Sequence, residues 1–339
     1  MSEALPGRVA VVGAGTMGSG IALAFALAGC AVGLAARREA TLASARDRIA
    51  ASLDLLVANG RIEPEEATAA GRRIEATTAL DETLAGAGLV VESITEDLAA
   101  KRDVLARAEE AAGPSTILTT DTSSLSIDEL AAALARPELF AGFHWFNPPE
   151  LVELIEVVSG SRTAPETAET LVAWAEAIGK VAVHVRRDVP GFIANRLQYA
   201  LVREAYALVE AGVCTYAEVD EAVRASIGAR WAAVGPFETF DLAGLDVHLE
   251  VARRLFPELS NAQGPPAALA GLVAEGSLGC KSGRGLHGEY GEEDIGRLVE
   301  RRAVVLNAVA DAASVLDRKG KRRRVIGSVD PRIRTLEAG

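Results

Sequence analysis

Three side chains, distant in sequence from a glycine-rich turn, have the types that a proton-transfer site needs: Ser123, His144 and Glu156. A neutral imidazole can take a proton from a hydroxyl. A carboxylate on its other nitrogen fixes the tautomer and steadies the imidazolium, and a serine hydroxyl can donate to or accept from the reacting oxygen. Far upstream, Gly13-Ala14-Gly15-Thr16-Met17-Gly18 follows the β-branched run Arg8–Val12 and opens a long apolar stretch. In that strand-to-helix context the first glycine permits a tight turn, the second lets backbone approach a pyrophosphate, and the third lets helix and strand pack closely. A dinucleotide beside a positioned base is the minimum equipment for moving a hydride and a proton together.

Each position also has a plainer reading. Ser123 in Thr122-Ser123-Ser124 could cap a helix, and His144 could be a hydrogen-bonded core histidine. Glu156 alternates with Val152, Leu154 and Val158, so it points to an otherwise apolar face and needs a partner there. His144, on the preceding strand candidate, is the partner the pattern offers.

About 20 residues past the glycine turn an acid usually reads the ribose 2′-hydroxyl. Here Ala36-Arg37-Arg38 stands in that place. A small residue followed by two arginines suits a 2′-phosphate, so the expected cofactor is NAD(P) with a lean to NADP. The alternative is a solvated arginine pair with NAD bound loosely.

These residues need a scaffold that gathers strand ends. Strand candidates occur at 8–12, 31–36, 73–77, 89–94, 115–120, 139–144, 151–158 and 181–185, with amphipathic stretches such as 97–112 and 126–135 between most of them. This rhythm predicts an α/β fold, a Rossmann-like, doubly wound, mostly parallel sheet. The short link between 139–144 and 151–158 predicts an antiparallel pair there. Beyond Asp188-Val189-Pro190-Gly191 come helical stretches at 193–211, 216–227, 238–256, 266–276 and 292–317 and no convincing strand. The expected division is a dinucleotide-binding domain at 1–187, a helical substrate and dimerisation domain at 188–320 and a tail at 321–339. Gly13, Glu96, Ser123 and His144 lie at or just beyond strand ends, so all should border one crevice.

Composition narrows the partners. With 339 residues the chain can build two cores. Its 47 acidic and 35 basic residues give a net charge of −12, against broad binding to nucleic acid or anionic membranes. The basic cluster Lys319–Arg324 is a local exception, read as a solvated segment. Cys30, Cys214 and Cys280 are scattered without metal or disulfide spacing, so no metal is expected and a reducing cytoplasm is the expected location. Ser19–Ala36 is apolar enough to suggest a membrane span, but Gly29-Cys30-Ala31 divides it into a buried helix and a buried strand.

Taken together, Gly13–Gly18, Glu96–Lys101, Asp121–Leu125, Gly142–Pro148 and Pro190–Arg196 resemble the 3-hydroxyacyl-CoA dehydrogenase family over roughly residues 7 to 290. The resemblance implies His144 as general base, Glu156 as its orienting carboxylate, and Ser123 and Asn195 as substrate contacts. It implies Glu96, Lys101, Asn147 and Lys281 around the cofactor, beside Gly13, Gly15, Thr16, Met17, Gly18, Arg37 and Arg38. Ser52 joins the substrate side. The expected reaction is 3-hydroxyacyl thioester to 3-oxoacyl thioester, in fatty-acid metabolism, by a homodimer. Two departures stand out. Where members acting on coenzyme A often carry lysines, this chain has Arg46, Arg48 and Asn59. Asn195–Tyr199 and Gly228–Pro236 look like the gulonate and carnitine dehydrogenase branch, which oxidises free hydroxy acids. Arg230 would grip such a carboxylate, or else form a structural ion pair. Gly235–Glu238 and Leu278–Gly285 look like the acyl-CoA branch.

Overall fold

The computed structural model describes residues 4–319. They divide into two compact units whose border falls between Glu204 and Ala205. The expected tail at 321–339 lies outside the described residues, as does all but the first residue of the basic cluster.

The first unit is built on β1 (Arg8–Val12), α1 (Thr16–Leu27), β2 (Ala31–Ala35), α2 (Glu39–Ala58), α3 (Pro64–Arg72), β3 (Ile74–Thr77), α4 (Leu80–Leu84), β4 (Leu89–Glu92), α5 (Leu98–Ala111), β5 (Ile117–Thr120), α6 (Ile127–Ala131), β6 (Phe140–Trp145), β7 (Leu154–Val158), α7 (Pro165–Ala177) and β8 (Val181–Val185). The eight strands form one sheet in the order β3-β2-β1-β4-β5-β6-β7-β8. All neighbours are parallel except β6 and β7. The order reverses at β1, between β2 and β4, which is the switch point where open α/β sheets take their ligands.

The sequence explains why this sheet is covered on both faces. β1 and β4 read as continuous apolar runs and are buried almost throughout. One core gathers Val9, Val11, Ile21, Phe25, Leu34, Trp145 and Ile155. The other gathers Ala10, Val90, Leu105, Leu118, Leu130 and Phe140 on the opposite face. α1 is apolar all round, and residues 18 to 26 are buried from every side. It is a core helix and far too short for a bilayer; among the described residues no helix is long and apolar enough to cross a membrane.

The second unit takes up the C-terminal part of α8 (Ala194–Glu210), from Ala205 on, then α9 (Tyr216–Ala222), α10 (Ala229–Ala233), α11 (Pro236–Ala243), α12 (Leu245–Leu255), α13 (Ala267–Ala274) and α14 (Glu292–Lys319). Two expectations need correction. The single stretch 238–256 is two helices, because Gly244 adopts φ +100° and turns the chain between α11 and α12. The region is also not free of strands: β9 (Arg284–Gly285) and β10 (Gly288–Glu289) pair as a minimal antiparallel hairpin. Two-residue strands carry too few side chains to show a period.

Candidate active site

The glycine turn is shaped by what its residues lack. Gly13 sits at φ +112°, and a Cβ there would lie 2.2 Å from the Ser93 carbonyl oxygen. A Cβ on Gly18 would lie 1.7 Å from the carbonyl oxygen of Gly13, so only glycine lets α1 start this close to β1. Gly15 is different, since nothing lies within 4 Å of its Cβ position and its free side is open. It is also the N-cap of α1, with no side chain on the first-turn amides. Open amides at a helix start, with bare backbone in front, fit a pyrophosphate. Thr16 is exposed and Met17 half-buried at the same turn. Behind it, Arg48 donates to the Ala14 carbonyl at 2.7 Å and bolts the turn to α2.

Ala36 is half-buried at the end of β2, and Arg37 and Arg38 are exposed just before α2.

The acid–base group comes from register. Antiparallel pairing sets His144 opposite Glu156, and His144 Nδ1 lies 2.9 Å from Glu156 Oε2. Both side chains are almost fully buried. The other carboxylate oxygen accepts from the amides of Ile193 and Ala194 at 3.0 and 2.9 Å, at the start of α8. Glu156 is therefore an acceptor on both oxygens, so Nδ1 of His144 carries the hydrogen between them. That leaves Nε2 as the acceptor, and it lies 3.2 Å from the exposed Ser123 hydroxyl. Phe146 and Phe192 flank the ring at centroid distances of 4.5 and 5.3 Å. Phe192 holds φ +50°, an unusual value for a non-glycine residue, where the chain turns into α8.

The serine loop is held from below. One Glu96 oxygen accepts from the Thr122 hydroxyl at 2.6 Å, from the Ser124 hydroxyl at 2.8 Å, and from the amides of Ser123 and Ser124 at 3.1 Å. Burial works to raise the Glu96 carboxyl, but these bonds and the nearby Lys101 charge together hold it below its ordinary value. Lys101 turns inward. Its ammonium is 1% exposed, 2.8 and 3.0 Å from the two oxygens of Glu92 and 3.4 Å from Glu96. In this structure Glu96 and Lys101 are thus engaged with the protein, as the clamp under Ser123.

Asn147 is exposed immediately after β6, and Asn195 is half-buried in the first turn of α8. Ser52 on α2 donates to Glu150 Oε1 at 2.8 Å. The link carrying Asn147 and Glu150 is pinned by Lys180, which donates to the carbonyls of Pro149 and Val152 at 2.6 and 2.8 Å. Burial lowers the Lys180 ammonium to about 8, against the pull of Glu150 and Glu153. Arg230 on α10 and Lys281 in the turn before β9 are exposed residues of the second unit.

Three further residues hold the site together without a role of their own in the sequence motifs. Asp121 accepts from the Trp145 amide at 2.9 Å and from the Ser93 hydroxyl at 3.1 Å. Glu92 is completely buried, and Glu150 sits against α1 at Gly20, whose absent Cβ would lie 2.6 Å from it. For Asp121 and Glu92, position on a strand end was the available signal. For Glu150 there was none, because its contacts are to helices distant in sequence.

Two family models span this architecture. "3-hydroxyacyl-CoA dehydrogenase, NAD binding domain" matches residues 8–189, and "3-hydroxyacyl-CoA dehydrogenase, C-terminal domain" matches 191–288. The chain belongs to the 3-hydroxyacyl-CoA dehydrogenase family. Among its relatives, 3-hydroxybutyryl-CoA dehydrogenase from Mycobacterium tuberculosis is 37% identical over 290 residues, covering 85% of this chain and 99% of that one. L-carnitine dehydrogenase from Streptomyces griseus is 39% identical over 237 residues, 70% of each chain. A solved structure of 5-formyl-3-hydroxy-2-methylpyridine 4-carboxylic acid 5-dehydrogenase, described as an NAD⁺-dependent dismutase, has a TM-score of 0.84 at 33% identity. It covers 92% of this chain and 98% of that one. The family agrees with the fold above and with a nicotinamide dinucleotide as cofactor.

Proposed function

We propose that this member of the family interconverts a 3-hydroxyacyl-CoA, or a related thioester, and its 3-oxoacyl form. The observation that carries the reading is the single line of contacts Glu156–His144–Ser123 at the crevice edge of the sheet. The bound dinucleotide would supply the hydride chemistry, resting its pyrophosphate on the bare turn Gly13–Gly18. In the oxidative direction His144 Nε2 takes the hydroxyl proton while C3 loses hydride. Glu156 keeps the other nitrogen protonated and faces the imidazolium as it forms. Ser123 donates to the reacting oxygen from a position 3.2 Å from the base. Asn195, next to the Ala194 amide that Glu156 accepts from, is assigned to the acyl carbonyl. Asn147 and Lys281 are assigned to the cofactor, and Glu96 and Lys101 to the loop that presents Ser123.

For the cofactor we favour NADP. The support is Ala36, which offers no acid to the ribose, followed by the exposed Arg37 and Arg38. We assign residues 188–320 to a helical domain that also dimerises. Phe237, Leu242, Leu245 and Phe256 are 83%, 78%, 61% and 67% exposed in it, more apolar surface than an isolated chain ordinarily leaves to water. Three unpaired cysteines agree with a cytoplasmic location.

A second reading, oxidation of a free hydroxy acid, is favoured by one observation. The residues standing where coenzyme A would find cations are engaged elsewhere. Arg46 bonds Glu39 and the Ala76 carbonyl, Arg48 bonds Ala14, and Asn59 bonds Leu55. Arg230 would then anchor the carboxylate. Absorbance at 340 nm decides between them. Acetoacetyl-CoA, a long 3-oxoacyl-CoA, gulonate, carnitine and the pyridine carboxylate would each be tried with NAD(H) and NADP(H). Turnover of acetoacetyl-CoA, fastest with NADPH, is expected; turnover of free acids alone would replace the first reading with the second.

A further inference from the structure

Asp121, like Glu92, is a buried carboxylate that the proton path does not use, and it lies under the crevice at the end of β5. Strand spacing of about 4.8 Å puts β1, with the glycine turn, roughly 14 Å from β6, with His144. The pyrophosphate belongs at the first and the substrate oxygen at Nε2 of His144. A nicotinamide that hands hydride across roughly 3–3.5 Å must therefore lie over the intervening ends of β4 and β5. Those ends are Ser93 and Asp121. Ser93 donates its amide to the Val12 carbonyl and its hydroxyl to Asp121, and its own carbonyl backs Gly13. Asp121 donates its amide to Glu92 and accepts from Trp145, one residue past the base.

We propose that Asp121 is a charge selector beneath the nicotinamide, its carboxylate favouring the oxidised, cationic ring over the reduced, neutral one. The proposal rests on the cofactor reading above. The surrounding charges support it. Lys101 is the cation on this floor, from α5, and it is shared between Glu92 and Glu96. His144 and Glu156, from β6 and β7, are paired with each other. The hydrogen bonds of Asp121 bring no positive charge, and Lys101 already faces both Glu92 and Glu96, so the Asp121 carboxylate adds net negative charge. Burial pushes its carboxyl up to about 7, and Glu92 adds to this, against the bonds from Trp145 and Ser93 and the charge of Lys101. The selector is therefore off in mild acid and on in mild base.

The test is equilibrium binding, read by ligand and protein fluorescence, of the oxidised and reduced forms of both NAD and NADP at pH 6 and pH 8. In the wild type the ratio Kd(reduced)/Kd(oxidised) should rise roughly tenfold from pH 6 to pH 8. Asp121→Asn keeps an acceptor for the Trp145 amide and a polar partner for Ser93. Its ratio should match the wild-type value at pH 6 and stay there at pH 8. His144→Gln should keep the wild-type rise, which separates Asp121 from titration of the base. A flat ratio in the wild type, or an undiminished rise in Asp121→Asn, would overturn the selector while leaving the cofactor site standing. Failure of all four dinucleotides to bind would overturn both.

Discussion

The two ends of the crevice are made in opposite ways. At β1 and α1 the site is a set of missing side chains: Gly13 and Gly18 permit a close approach and Gly15 leaves an opening, all within six consecutive residues. At β6 and β7 the site consists of side chains that are present, buried and meshed, and its members come from residues 123, 144, 156 and 193–194. The first end depends on local backbone geometry. The second depends on strand register, where a one-residue slip would turn Glu156 to the other face. Damage should therefore look different at the two ends: loss of cofactor binding at one, loss of turnover with binding kept at the other.

The largest effect should come from Gly18→Ala. Its new Cβ meets backbone rather than a movable side chain, so α1 must shift from the turn. Dinucleotide affinity should fall more than 100-fold, with a stability loss of roughly 1–3 kcal/mol from overpacking. Fluorescence titration and thermal melting read both. Retained affinity would mean that the turn does not hold the pyrophosphate.

Glu156→Gln probes the other end. An amide cannot accept from Nδ1–H on one side and from two backbone amides on the other without presenting its NH₂ to one of them. Turnover should fall, by less than the roughly 10²–10⁴-fold worth of the base itself, and the pH–rate profile should shift. An unchanged profile would reduce Glu156 to a structural clamp on α8.

Between the two ends, Asp121 makes a stability prediction with a definite sign. Its carboxyl is raised in the folded state from 3.8 to about 7, so folding binds its proton more tightly. That contribution is fully present below about pH 4 and is lost as pH rises through 7, amounting to at most about 4 kcal/mol. Asp121→Asn should gain on the wild type in denaturant midpoint between pH 5 and pH 8. Parallel curves for the two proteins over that range would contradict it.

Ala36→Asp should have the smallest effect on the fold. It should shift the kcat/KM ratio toward NAD, because a carboxylate disfavours a neighbouring 2′-phosphate. A wild type that already prefers NAD strongly would remove the role given to Arg37 and Arg38.

The same contrast explains what could be read from the sequence. The sheet followed from β-branched runs spaced by amphipathic stretches, and the glycine turn from a contiguous pattern. The His144–Glu156 pair was legible because a polar residue interrupted an apolar alternation at 152–158. Asp121, Glu92 and Glu150 gave no such sign. Their meaning lies in contacts with Trp145, Lys101 and Ser52, 24, 9 and 98 residues away. The break at Gly244 was masked because α11 and α12 are both good helix formers, and a single glycine inside a helical pattern is often tolerated.

On the proposed proton path, His144 moves the proton in a crevice that binds the cofactor independently of it. This is tested most directly by His144→Ala, assayed for dinucleotide affinity and for single-turnover hydride transfer on one preparation. Affinity should stay within about twofold of wild type, and the rate should fall roughly 10²–10⁴-fold. A variant that transfers hydride at the wild-type rate would contradict that path.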